Sequence, residues 1–104
     1  MSNYLLAYTG GAQMETPQQQ AEAMAAWGAW FGALGAAVVD GGNPVGAAVS
    51  LAPDGTTSTG GAAGITGYSI LAADSLAAAA DLAKGCPILP SGGSIEVYEI
   101  VEAM

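Results

Sequence analysis

Side chains able to do acid–base chemistry are few in this chain of 104 residues. It has no His and no Arg, a single basic residue, Lys84, and nine Asp and Glu residues. Without imidazole, neither a His-activated nucleophile nor a His-ligated metal site can be built. The candidate groups considered are therefore the carboxylates, the four tyrosines and the one cysteine.

Two carboxylates are the candidate catalytic groups. Glu96 alternates with Ile95 and Val97 on a predicted strand. If that strand lines a space between two sheets, a carboxylate buried there without a cation is a candidate general acid or base. The alternatives are an exposed strand face or a hydrogen bond to a tyrosine hydroxyl. Asp40 is either a cleft carboxylate or, as we favour, a turn residue that binds its local backbone.

The aromatic side chains are candidates for the lining of a mostly apolar pocket or for a subunit interface. Tyrosines can line a ligand pocket with their hydroxyls or fill a subunit interface. Core packing is the favoured role for Trp27 and Trp30, although Trp30 flanks the core stripe and could face a cleft or the partner. If the chain binds a small molecule, the predicted contact residues are Tyr8, Trp27, Asp40, Tyr68, Glu96 and Tyr98.

Cofactor chemistry is not expected. Cys86 follows a predicted helix, whose C-terminal end disfavours a thiolate, so it is predicted to be a small buried residue. The glycine pairs at 41–42 and 60–61 lack the pattern of a phosphate loop. Since the carboxylates also lack EF-hand spacing, we predict no metal and no cofactor.

The composition and net charge of the chain limit the classes of partner that it can bind. Hydrophobic residues make up 52% and charged residues 10%, and the net charge is -8. Such a surface disfavours nucleic acid and anionic membranes. The longest uncharged apolar run, residues 24–39, is broken by glycines and too short to span a bilayer. We therefore predict one cytoplasmic domain, residues 1–104, without membrane contact.

Local signals predict the order β-α-β-β-α-β, with an extra hairpin between the middle strands. Thr16, Pro17 and Gln19 form a capping box that opens the first helix, and Gly35 ends it. Asp74 is predicted to cap the second helix. The predicted strands cover residues 3–8, 36–40, 45–51, 56–59, 66–72 and 94–101, and the helices cover 17–34 and 75–84.

Each helix is predicted to bury one face. In the first, an apolar stripe runs through Met24, Trp27, Phe31 and Leu34. Beside it lies a stripe of small residues, Ala21, Ala25, Gly28 and Gly32, which predicts a close approach to the sheet. In the second helix, the predicted buried residues are Leu76, Ala79, Ala80 and Ala83.

This order is typical of a ferredoxin-like α+β fold, an antiparallel sheet with both helices on one face. The other face then has no cover of its own. Many residues are Ala or Gly, so the chain brings few large apolar side chains for its size. We therefore predict a homodimer in which a second copy covers the bare face.

Several short segments, spread over nearly the whole chain in a fixed order, match a known pattern. They are YLLAY at 4–8, WGAW at 27–30, DGG at 40–42, GYSIL at 67–71, DSL at 74–76, CP at 86–87 and GSIEV at 93–97. With these segments the chain resembles the YCII-related family, also called DGPF-domain proteins. The resemblance implies a dimeric α/β barrel of two ferredoxin-like sheets with a cleft near their interface.

Departures from the family concern its chemistry. Some members are thought to use a His–Asp pair, and Met24 and Cys86 stand at those positions. Residues 59–62, TGGA, replace the Asp-Gly-Pro-Phe stretch, and Tyr98 replaces the usual Arg. The resemblance therefore implies the fold but not the catalytic pair.

The predicted function is binding of a small apolar or aromatic molecule in a cleft at the dimer interface. One alternative is a weak lyase- or isomerase-type enzyme that uses Glu96 or Asp40 as general base. Another is a purely structural dimer.

Overall fold

The computed structural model describes residues 1–11, 15–61 and 64–102. Ala62, part of the segment that replaces the family's Asp-Gly-Pro-Phe, lies outside them. The helices are α1 (Pro17–Leu34) and α2 (Leu76–Ala83), with a short 3₁₀ helix at Gly35–Ala37. The strands are β1 (Ser2–Thr9), β2 (Val38–Asp40), β3 (Val49–Leu51), β4 (Thr57–Thr59), β5 (Ile65–Ala73) and β6 (Ser94–Glu99).

Four strands form the main sheet in the order β2-β5-β1-β6, and every neighbouring pair is antiparallel. Strand β1 lies at the centre, with Leu6 paired to Ser69 on β5 and to Val97 on β6. The chain is thus a small α+β fold whose strand order is compatible with the predicted ferredoxin-like arrangement.

Strands β3 and β4 form the predicted hairpin between the middle strands. They pair from Val49–Thr59 to Leu51–Thr57. The turn is closed by Asp54, whose carboxylate accepts a hydrogen bond from the Thr56 N–H at 2.9 Å. Both strands are shorter than predicted, and their side chains are exposed or half-buried.

Helix α1 begins and ends where the sequence predicts. Thr16 Oγ1 accepts a hydrogen bond from the Gln19 N–H at 3.1 Å, and Gln19 Oε1 accepts one from the Thr16 N–H at 3.2 Å. Gly35 follows the last residue with a positive φ of 58°, a conformation that favours glycine. The local capping signals therefore set both ends.

The predicted contact face of α1 is wrong in two respects. Met24 is 76% exposed, because the first half of the helix borders an open cavity rather than the core. A Cβ added at Gly28 or Gly32 would meet no described atom within 4 Å, so these glycines do not approach the sheet. The aromatic side chains Trp27, Trp30 and Phe31 form the contact of α1 with the core instead.

Helix α2 also differs from the prediction at its start. Its N-cap is Ser75, not Asp74, and Ser75 Oγ accepts a hydrogen bond from the Ala78 N–H at 3.1 Å. Ala79 and Ala83 are buried as predicted, but Leu76 is 51% exposed. The small alanines let the helix lie close to the sheet, and Leu82 supplies the larger apolar contact.

The core lies between the helices and one face of the sheet. Leu6 and Leu71 are fully buried there, with Tyr4 and Tyr8 from β1 beside them. Along β6, Ile95 and Val97 pack on this core, whereas Glu96 and Tyr98 lie on the other face. The molecule measures 44 × 39 × 18 Å, thin enough for one helical layer and one sheet.

Candidate functional site

A cavity of about 460 Å³ lies between α1, the sheet and the loop of residues 41–44. Its volume is within the range of small-molecule sites. Large apolar side chains form most of its wall: Tyr8, Met24, Trp27, Phe31, Pro44 and Ile88.

Side chains on one face of α1 form one wall of the cavity. Ala23, Trp27 and Phe31 follow one another at intervals of four residues, which puts them on one face of the helix. The Trp27 ring meets the Tyr8 ring edge to face, with centroids 5.2 Å apart. The centroids of the Trp27 and Phe31 rings lie 5.9 Å apart. These contacts hold the wall in a defined shape.

Two hydroxyls form the polar floor of the cavity. Tyr8 Oη donates to Ser69 Oγ at 2.7 Å, and Ser69 Oγ donates to the Gly41 carbonyl at 2.8 Å. Burial raises the pKa of Tyr8 well above its usual value, although the hydrogen bond to Ser69 opposes this. Tyr8 is therefore a neutral hydroxyl at physiological pH.

The loop that closes one side of the cavity is held against β5. The Asn43 carbonyl accepts a hydrogen bond from the Tyr68 N–H at 3.2 Å, and the Val45 N–H donates to the Thr66 carbonyl at 3.0 Å. Asp40 Oδ1 accepts from the Gly42 N–H at 2.8 Å. This is the turn role favoured for Asp40, and its carboxylate does not line the cavity.

Cys86 lies in the core behind the cavity and is 1% exposed. Burial raises the pKa of its thiol, and the backbone of Ile88 and, to a lesser extent, the Tyr8 hydroxyl oppose the shift. A thiol held in its protonated form is a poor nucleophile. The position agrees with the small buried residue that the sequence predicts.

The other predicted site residues are divided between two faces of the sheet. Tyr8 and Trp27 line the cavity, and Tyr68 borders it from β5. Glu96 and Tyr98 lie on the opposite, uncovered face, where Tyr98 Oη donates to Glu96 Oε2 at 2.9 Å. This bond raises the pKa of Tyr98. Glu96 is thus exposed on a strand face and bonded to a tyrosine hydroxyl, so both alternatives to a buried carboxylate are observed in the described chain.

Several cavity residues escape the sequence prediction. Ser69, Phe31 and Ile88 all line it. Ser69 carries a detectable signal, because it falls between Gly67 and Leu71 on the buried side of the strand alternation. A polar side chain at such a position needs hydrogen-bond partners, and those partners form the cavity floor.

Two further findings concern residues 1–11, 15–61 and 64–102. In that part of the chain, no three His, Cys, Asp or Glu side chains lie together as a metal site. Neither of its helices has the length and apolar character needed to cross a bilayer.

Comparisons with protein-family models, with curated proteins and with solved structures found no match.

Proposed function

We propose that this protein binds a small, uncharged, apolar or aromatic molecule in the cavity between α1 and the sheet. The observation that carries the proposal is the cavity wall. It joins three aromatic rings to a neutral hydroxyl floor, and none of its described lining residues is charged. An ion would lose its hydration there without a compensating charge, whereas an apolar ring would lose only unfavourable contact with water.

The cavity is tested by titrating the ¹⁵N-labelled protein with toluene and recording its two indole N–H signals. We expect the Trp27 signal to move. The Trp30 signal should move less, because its Nε1 donates to the Leu82 carbonyl at 3.2 Å outside the cavity. The substitution Ala23→Phe fills the cavity and should abolish the shift. Ala26→Phe, on the exposed side of α1, should leave it unchanged.

If millimolar toluene shifts neither indole N–H signal, the proposal is contradicted. An Ala23→Phe variant that binds toluene as the wild type does would also contradict it, because binding would then be located elsewhere.

We also infer that a second copy of the chain covers the bare sheet face, as in an α/β barrel of the YCII-related kind. The chain exposes 6776 Å², whereas a compact monomer of 10.1 kDa exposes about 5,300 Å². Its radius of gyration is 15.1 Å, against about 13 Å for a compact chain of this length. The excess area is as large as a specific interface requires.

The bare face has the side chains that such an interface uses. Ile70, Leu5 and Tyr98 lie in one row across β5, β1 and β6, and each is at least partly exposed. Apolar and aromatic residues of this kind are enriched in interface cores. The antiparallel sheet and its strand order are compatible with a ferredoxin-like fold, and membership of the YCII-related family stays part of this proposal on the sequence resemblance alone.

Light scattering in 0.15 M salt should give twice the chain mass of 10.1 kDa. Salt matters because a net charge of -8 on each chain opposes association until it is screened. Ile70→Asp places a carboxylate at the centre of the bare face and should yield monomers. Ala26→Asp adds the same charge on exposed helix surface and should leave the dimer intact. A monomeric wild type at micromolar concentration would rule out the barrel.

The lyase- or isomerase-type alternative stays a prediction. It needs a carboxylate base beside the ligand, and neither Asp40 nor Glu96 lines the described cavity. A cleft formed between the bare faces of two copies, which would include Glu96 and Tyr98, also stays a prediction.

A further inference from the structure

We infer that the cavity selects a ligand that donates a hydrogen bond, namely a neutral aromatic alcohol of the phenol class. The inference rests on the proposed ligand-binding function and adds the polarity of the ligand. It follows from which hydroxyl protons around the cavity are already used within the protein.

The hydrogen bonds of the cavity floor run from Tyr8 to Ser69 to the Gly41 carbonyl, and this last acceptor fixes which group donates in each. The Gly41 carbonyl cannot donate, so Ser69 must donate to it across the 2.8 Å contact. A serine hydroxyl has one proton, so Ser69 can only accept from Tyr8 across the 2.7 Å contact. The proton of Tyr8 is then committed to Ser69. Tyr8 Oη retains a lone pair, and a ligand can reach it only by donating.

The other lining hydroxyls are committed in the same way. Ser91 Oγ donates to the Ile88 carbonyl at 2.8 Å. Thr66 Oγ1 lies 3.3 Å from the carbonyl oxygens of both Tyr8 and Gly10. Tyr8, Thr66, Ser69 and Ser91 therefore each have a backbone carbonyl or Ser69 as acceptor for their proton, and they offer the ligand lone pairs. The fifth lining residue with a hydroxyl, Tyr68, alternates with Gly67 and Ser69 along β5, so its side chain lies on the other face of the sheet.

Three other side-chain donors lie in or near the cavity. They are the Trp27 indole N–H on the wall, the Asn43 amide on the exposed loop and the Cys86 thiol behind Tyr8. A thiol is a weak donor. A ring packed against Trp27 and Phe31 with its hydroxyl on Tyr8 Oη uses both the apolar wall and the floor acceptor. A carboxylate would face the same lone pairs and be repelled.

The inference is tested with three probes that share a methyl-substituted benzene ring: 4-methylphenol, its methyl ether 4-methylanisole, and toluene. Affinities are measured by NMR titration at pH 7. We expect 4-methylphenol to bind about fivefold more tightly than 4-methylanisole, the effect of one net hydrogen bond. Tyr8→Phe removes the acceptor and should make the affinities for 4-methylphenol and 4-methylanisole equal. Tyr98→Phe, on the opposite face, should leave both affinities unchanged.

A second variant tests the direction of the network. In Ser69→Ala the Tyr8 proton loses its acceptor and becomes available to the cavity. Affinity for 4-methylacetophenone, which only accepts, should then rise several-fold relative to the wild type. This gain of binding cannot result from a protein that has failed to fold.

The possible failures are distinguishable. If toluene binds but 4-methylphenol has no advantage over 4-methylanisole, the donor selectivity is overturned and the cavity proposal stands. The donor selectivity is also overturned, and the cavity proposal stands, if the wild-type protein binds 4-methylacetophenone more tightly than 4-methylphenol and the Trp27 N–H signal shifts. If no probe binds, both are overturned.

Discussion

Replacing Trp30 with alanine is expected to lower the free energy of unfolding by about 3–5 kcal/mol. Trp30 is 8% exposed, and it is the buried residue of α1, a helix that is described along its whole length. Its ring lies 5.8 Å from that of Trp27 and 5.0 Å from that of Phe31. Its Nε1 also donates to the Leu82 carbonyl of α2. The residue therefore joins the two helices and supports the cavity wall from behind.

Urea denaturation followed by far-ultraviolet circular dichroism measures this effect. Met24→Ala is the matched control, because Met24 lies on the same helix but is 76% exposed. We expect it to change stability by no more than about 0.5 kcal/mol. Trp30→Phe should fall between the two, since it retains a ring and loses the hydrogen bond. A Trp30→Ala variant within about 1 kcal/mol of wild type would show that α1 is held by other contacts.

Gly42→Ala is expected to cost about 2–4 kcal/mol and to weaken ligand binding. Gly42 has a positive φ of 76°, which is unfavourable for a residue with a Cβ. A Cβ at this position would also overlap the carbonyl oxygen of Tyr68. Neither backbone segment can shift without breaking the hydrogen bond from the Tyr68 N–H to the Asn43 carbonyl. We therefore expect the loop of residues 41–44 to move away from β5.

The same urea experiment and the toluene titration give both readouts. Gly28→Ala provides the matched control in α1, because its added Cβ would meet no described atom within 4 Å. There alanine should raise stability by about 0.5–1 kcal/mol through its better helix propensity. If Gly42→Ala proves as stable as wild type and binds toluene equally well, the loop does not have the close packing described for it.

Much of the secondary structure was predictable because its signals are local. Thr16 and Gln19 cap α1 through side chains three residues apart, and Gly35 ends it with its own backbone conformation. The turn at Asp54 is equally local. These interactions need only residues within one turn of chain, so the sequence alone contains them.

The cavity depended on contacts between distant parts of the chain. Tyr8 and Ser69 are 61 positions apart, and their hydrogen bond forms only because β1 pairs with β5 in one register. Met24 has the spacing of a core residue, yet α1 lies over the cavity there and leaves it exposed. The alternation along β6 does place Glu96 on the face opposite Ile95 and Val97, but only the packing of the helices decides which of the two faces they cover.

The amino-acid sequence thus determined the order of the elements, their caps and the lack of imidazole and guanidinium groups. The tertiary structure decided which side of each element is buried, and so which hydroxyls and rings meet at the cavity. The physical reason is that periodicity defines faces within a helix or strand, whereas the choice between faces depends on the free energy of packing whole elements against one another.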